Sequence, residues 1–258
     1  MRGVTCSSLP CLLALVAAVL GGCETVPITG RSQLQLVSGA QEVQMGTEAY
    51  KDILGKAKVS TDPAQNALVA RVGTRIAAAT GRSDLPWEFK VIDDPETVNA
   101  FALPGGKVAV YTGILPITRD EAGLAVVLGH EVSHVMARHS AERISEQLSL
   151  QLGAQVVGSV LGVDAEVTKV GAGLLVNALL LPWGRSQESE ADHLGLIYMA
   201  KAGYDPHAAR DLWIRMAEAS KGRSRPPEFL STHPSEEARV RQIEGWLSEA
   251  MRYYQPRR

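Results

Sequence analysis

The run His130-Glu131-Val132-Ser133-His134 constrains this chain more than any other feature, because its three polar side chains combine usefully on a helix. Imidazoles four residues apart lie one above the other on a helical face and can turn ring nitrogens to a single metal ion. Glu131, about 100° round the axis, reaches water beside such an ion rather than the ion itself. Nitrogen ligands of this kind suit zinc, and the neighbouring carboxylate suits removal of a proton from water. Capping and periodicity predict the helix independently. Thr118-Arg119-Asp120-Glu121 has the form of a capping box, and Leu124, Leu128, Val132 and Val135 follow at three- and four-residue intervals. A helix is therefore expected from about Arg119 through His139. The bland alternative is a pair of surface histidines on an amphipathic helix.

A zinc site that does chemistry needs a third protein ligand and an open fourth position. The best source is Ser186-Gln187-Glu188-Ser189-Glu190-Ala191-Asp192-His193, on a second expected helix ending near Gly203. Glu188 and Asp192 share a face, so one is placed to bind metal while the other orients a ligand imidazole through its second ring nitrogen. Spacing leaves Glu188 and Glu190 both open as the ligand. His139, His193 and His207 read as ordinary polar residues.

The first 22 residues do not belong to the fold. Arg2 precedes an apolar run from Cys11 to Leu20, too short to span a bilayer, which reads as an export signal. Leu20-Gly21-Gly22-Cys23 then resembles a bacterial lipobox, with Cys23 as the lipidated residue. Of the three cysteines, Cys6 and Cys11 fall inside the signal, so processing leaves no partner for a disulfide within one chain. Glu24 after the cysteine favours the outer membrane, facing the periplasm. Polar, turn-rich residues 23–37 read as a lipidated tether, with the folded domain over 38–258.

Helices are expected around Gln41 to Gly55 and Asp62 to Thr80, the second started by Asp62-Pro63. Short β-like runs follow at Trp87 to Asp93, Ala100 to Leu103 and Val108 to Thr112, broken by Pro104-Gly105-Gly106. Thereafter the chain reads as helical. Residues 147–181 are apolar but interrupted by Asp164, Glu166 and Lys169, which favours a buried helical pair over a lid or a membrane span. The fold class is α+β, mainly helical with a small sheet. A formal charge of -2 over 258 residues, with scattered Arg and Lys, fits one globular domain and gives no reason to expect nucleic acid as a partner.

His130-Glu131-x-x-His134, Glu188-x-x-Ala191-Asp192, Asn99-Ala100-Phe101-Ala102-Leu103-Pro104-Gly105-Gly106 and Thr232-His233-Pro234 together resemble the gluzincin metallopeptidases of the HtpX and CAAX-prenyl endopeptidase type. The similarity spans about residues 27 to 245, beginning with Pro27-Ile28-Thr29-Gly30-Arg31. It is nearest the short periplasmic lipoprotein members of the LoiP kind, and is related to the protease domain of BepA. The resemblance implies a zincin-type domain holding one Zn2+ per chain on His130, His134 and Glu188. Asp192 becomes the partner of a ligand histidine, Glu131 the general base, and Glu190 is demoted. Asn99 to Leu103 becomes an edge strand that pairs with substrate backbone. His233 and Arg239 are implied near the metal, as donors to a developing oxyanion or, for His233, as a fourth ligand that displaces water; a loop histidine before a Ser235 helix cap is the plain alternative. The implied activity is endopeptidase cleavage of misfolded or misassembled envelope proteins, with a zinc-stabilised chaperone or assembly factor that binds clients uncut as the rival.

Overall fold

In the computed structural model, which describes residues 23–161, 184–221, 228–233 and 237–256, the chain folds earlier than expected. Strands β1 (Cys23–Thr25) and β2 (Ser32–Leu34) pair antiparallel, Cys23 opposite Leu34. The residues that read as linker form the turn between them: Val26 N donates to Arg31 O at 2.8 Å and Gly30 N to Val26 O at 3.0 Å. Val26, Gln33, Gln35 and Val37 are buried. Residues 23–37 are thus a strap packed on the domain, which corrects the expectation of a free tether; short polar segments can fold when distant residues complete their hydrogen bonds. The signal segment 1–22 lies outside the described residues.

Ser38 caps helix α1 (Gly39–Lys56) through a capping box with Gln41. Asp62 caps α2 (Pro63–Ala79), accepting from Ala64 N at 2.8 Å. The sheet has three strands, β3 (Glu88–Ile92), β4 (Ala100–Leu103) and β5 (Lys107–Tyr111), in the order β3-β5-β4. β3 runs parallel to β5 and β4 antiparallel to it, with Ala100 opposite Val110, so β4 is an edge. Tyr111 N donates to Asn99 O at 3.0 Å. By the alternation of an antiparallel ladder, Ala100 and Ala102 then turn their backbone groups away from β5.

Short α3 (Leu115–Thr118) leads into α4 (Glu121–Met136), which carries the His-Glu-x-x-His run. The N-cap is Asp120, whose side chain accepts from Gly123 N at 2.8 Å. Thr118 instead closes α3, donating from Oγ1 to Leu115 O at 3.0 Å, and Arg119 turns the chain at φ 68°. The helix also stops short of His139. Arg138, at φ 54°, breaks it, and His139 opens α5 (His139–Leu161). Gln33 Nε2 takes up the Ala137 carbonyl at the break at 2.8 Å.

Beyond lie α6 (Arg185–Lys201), α7 (His207–Ser220), α8 (Glu228–Thr232) and α9 (Glu237–Ala250). Of the apolar stretch 147–181, residues up to 161 belong to α5 and the remainder falls outside the described residues. Among the described residues, no helix is long and apolar enough to cross a membrane.

Helix α4 is buried along nearly its whole length, with α2, β4, α6 and α7 packed about it. It crosses α6 at Gly129 and Gly195, where the two backbones touch. A Cβ on Gly195 would lie 3.0 Å from Gly129 C and from His130 N, and one on Gly129 would lie 2.9 Å from Gly195 O. Gly195→Ala should therefore force the helices apart and destabilise the fold by ~1–3 kcal/mol. Asp120→Ala should cost ~1 kcal/mol through the lost cap alone. Denaturant unfolding of both variants checks the order of the two effects.

Candidate metal centre

That close crossing sets the His face of α4 against the acidic turn of α6. His130 Nε2 stands 3.1 Å from His134 Nε2, and Glu188 Oε1 lies 3.4 Å from His134 Nε2. His233, at the end of α8, brings Nδ1 to 3.1 Å from His130 Nε2 and 2.8 Å from Glu188 Oε1. All four residues are buried. The four donor atoms lie within 4.8 Å of one another; the corners of a tetrahedron with bonds of about 2.0–2.1 Å stand about 3.3 Å apart, so the close pairs have the spacing of a site for a small cation of the zinc type.

Protonation supports the fit. His130 Nδ1 faces the Asp192 carboxylate at 2.9 Å, with Arg239 Nη2 3.2 Å away, and in the neutral tautomer that donates to Asp192 the Nε2 lone pair points inward. His139 Nε2 likewise faces Glu190 Oε2 at 3.0 Å, so His139 Nδ1 is the acceptor for His134 Nδ1 at 2.8 Å. In that tautomer His134 Nε2 likewise offers its lone pair inward. With both rings so arranged, two nitrogen lone pairs and a carboxylate oxygen meet at distances that a positive charge among them would relieve. Burial holds His134 well below the ordinary imidazole pKa. Burial also acts against charge on His130, but the Glu188 and Asp192 carboxylates outweigh it and raise His130 to about 9. The field that draws a proton there draws a cation equally.

Glu131 sits at 1% exposure with Oε1 unpartnered, 3.3 Å from His233 Nε2. Burial raises its pKa, opposed by His233, His130 and the Ala102 amide. Arg239 clamps Asp192, donating from Nη2 to Oδ1 at 2.7 Å, while its Nη1 lies 3.0 Å from Glu188 Oε2. Its guanidinium also lies over the Trp213 ring at 3.6 Å. Arg239 thus holds the Asp192 and Glu188 carboxylates together beside the histidine cluster. Phe229 anchors α8 by donating N–H to Val98 O at 2.9 Å, and its ring stacks on His233 with centroids 4.5 Å apart.

The edge strand adjoins this centre. Ala100 and Ala102 pack in the main core with α4, whereas Phe101 and Leu103 face the cluster of Tyr50 and Ile92. Asn99 folds its Oδ1 back to accept from Ala100 N at 2.9 Å. Cys23 lies apart from these residues in sequence role, at the start of β1 on the strap. Two residues set aside in the sequence belong to the site. His139 is fully buried against His134, and Glu190 stands behind His139. The sequence carries no direct signal for His139, because a helix continuous from His134 would turn it away, and only the break at Arg138 brings the two rings together. His193 pairs with Glu249 at 2.8 Å and His207 with Asp205 at 2.7 Å, as polar residues do. The Ser235 cap lies outside the described residues.

The profile of Peptidase family M48 matches residues 63–247. The mitochondrial metalloendopeptidase OMA1 of Schizosaccharomyces pombe is 43% identical over 230 residues, covering 88% of this chain and 67% of that protein. The protein of the same name from Saccharomyces cerevisiae is 33% identical over 265 residues, covering 93% of this chain and 76% of its own. The beta-barrel assembly-enhancing protease of Escherichia coli is 30% identical over 225 residues, 84% of this chain; the chain spans 46% of that relative.

A cation seated among these four residues should stabilise the fold, by ~2.7 kcal/mol at a free concentration 100-fold above Kd. Chelation of the purified protein should lower its melting temperature, and Glu188→Ala should abolish the difference between the loaded and chelated forms.

Proposed function

The chain belongs to Peptidase family M48, and from that premise we propose that it is a zinc endopeptidase of the bacterial cell envelope, cutting misfolded or misassembled envelope polypeptides. One observation carries the proposal: His130, His134 and Glu188 converge on a single point with the buried, unpartnered Oε1 of Glu131 close by. Imidazoles and a carboxylate at tetrahedral separations suit zinc. Bound there, the ion polarises a carbonyl oxygen and makes water a stronger acid.

The chain's own residues supply the rest. Glu131, its pKa raised by burial, accepts the proton of the attacking water and returns it to the leaving amine. Asp192, held by Arg239, keeps the His130 ring turned with Nε2 inward. Outward-facing backbone of Ala100 and Ala102 offers an edge for β-augmentation, a mode that reads main chain more than sequence and so suits unfolded substrates. Asn99 must release Ala100 N for that pairing. His233 serves as a fourth ligand that holds the enzyme off, since its Nδ1 completes the donor set and its Nε2 fills the space beside Glu131.

The envelope setting rests on the export signal and on Leu20-Gly21-Gly22-Cys23, with Cys23 as the lipid anchor in the outer membrane facing the periplasm. Similarity to the beta-barrel assembly-enhancing protease supports the same setting. The OMA1 relatives are mitochondrial by name; the lipobox-like Leu20-Gly21-Gly22-Cys23 supports a bacterial membrane for this chain.

Digestion of an unfolded protein such as casein tests the chemistry. Glu131→Gln should lower the rate by ~100- to 10,000-fold with metal content unchanged. Client binding by wild type without cleavage would replace the protease by a chaperone. His233→Ala should raise activity if the fourth ligand is a brake, and a loss of activity would make His233 an oxyanion donor.

A further inference from the structure

Behind His134 runs a chain of buried polar groups that the proposed chemistry leaves unused. His134 Nδ1 donates to His139 Nδ1 at 2.8 Å, and His139 Nε2 donates to Glu190 Oε2 at 3.0 Å. Glu190 in turn accepts from Arg31 Nε at 2.8 Å and from Thr29 Oγ1, both in the turn of the β1-β2 strap. The same guanidinium reaches Glu142 of α5, Nη2 standing 2.9 Å from Oε2, and Glu142 also accepts from Gln187 Nε2 of α6 at 2.9 Å. His139 is completely buried and Glu190 is 8% exposed.

We propose that His139, Glu190 and Arg31 are positioning residues for the metal ligand His134, and that metal binding and docking of the N-terminal strap are therefore coupled. The proposal rests on the reading of His130, His134, Glu188 and His233 as a metal centre. A ligand imidazole binds through one nitrogen only while its other N–H has a fixed acceptor. For His130 that acceptor is the Asp192 carboxylate, fastened by Arg239. For His134 it is a second imidazole, which cannot itself be an anchor unless its own N–H is fixed. Glu190 fixes it, and Arg31 and Thr29 hold Glu190. Each ligand histidine is thus backed by a carboxylate and an arginine, but the second arginine comes from a strap beginning more than a hundred residues earlier in the chain.

Direction is set at every step. The Glu190 carboxylate only accepts, so His139 must carry its proton on Nε2, and His134 must carry its own on Nδ1. Loss of Glu190 frees the His139 tautomer and with it the proton on the inward nitrogen of His134. Since binding free energies are reciprocal, anything that lifts the strap weakens metal binding, and removal of metal loosens the strap.

Zinc affinity by chelator competition, on the full processed chain, tests this without reference to catalysis. His139→Leu and Glu190→Ala should each bind zinc ~10- to 100-fold more weakly than wild type. His139→Asn keeps an acceptor near the position of Nδ1 and should recover part of the loss. Asp52→Ala, which removes only an exposed ion pair with Lys56 on α1 and touches neither strap nor relay, serves as the control. Wild-type affinity in His139→Leu, or an equal loss in Asp52→Ala, overturns the proposal. A second measurement covers variants that fold poorly: in wild type, chelation should speed hydrogen exchange at the amides of Val26 and Gly30, and unchanged exchange overturns the coupling. A wild-type chain that binds no zinc overturns the metal centre itself and the relay with it.

Discussion

Everything at the centre depends on the contact between Gly129 and Gly195. Helices usually pack with axes 8–10 Å apart because side chains stand between them. With hydrogen at both crossing points, α4 and α6 meet backbone to backbone. Short side chains on the two helices can then share one point: imidazoles from His130 and His134, and a carboxylate from Glu188. Wider spacing would leave the same residues facing each other across a gap. The site therefore begins with the absence of two side chains, although every residue that does chemistry carries one.

Such closeness concentrates charge in a dry place. Glu131, Glu188 and Asp192 are all nearly inaccessible, and burial alone would push each toward its neutral form. Arg239 and the nearby imidazoles keep Asp192 and Glu188 ionised, while Glu131 is left with a raised pKa. Carboxylates on one stretch of buried structure thus have different properties because they have different neighbours. The outward groups of β4 are engaged too, Ala100 by Asn99 and Ala102 beside Glu131. His233 stands beside these carboxylates, with its Nδ1 2.8 Å from Glu188 Oε1 and its Nε2 3.3 Å from Glu131 Oε1.

Much of this was legible in the sequence. Spacing alone placed His130 and His134 on one helical face, and Asp62-Pro63 marked the start of α2 where the structure has it. The three β-like runs match β3, β4 and β5 to within a residue or two at each end. What escaped depends on backbone conformations that side-chain patterns do not encode. Arg119 and Arg138 both adopt positive φ, a region that residues with a Cβ seldom enter. The first moved the cap from Thr118 to Asp120, and the second turned His139 back toward His134. Spacing left Glu190 open as a ligand and the resemblance demoted it; its actual partners, His139 and two residues of the strap, are not visible in a helix pattern. Polar residues 23–37 looked like a linker for a related reason: Gln33 satisfies a carbonyl at a helix break invisible in the sequence.

The strap also fixes a length. Because Cys23 already pairs with Leu34, no slack chain separates it from the folded body. Glu24, the next residue, is ion-paired with Arg138 at the joint between α4 and α5. With a lipid on Cys23, as proposed, the domain would sit on a short mount instead of a long leash. Such a mount would restrict the heights and angles at which the centre meets a target, so selection among targets would become partly a matter of where along their own length they can be reached.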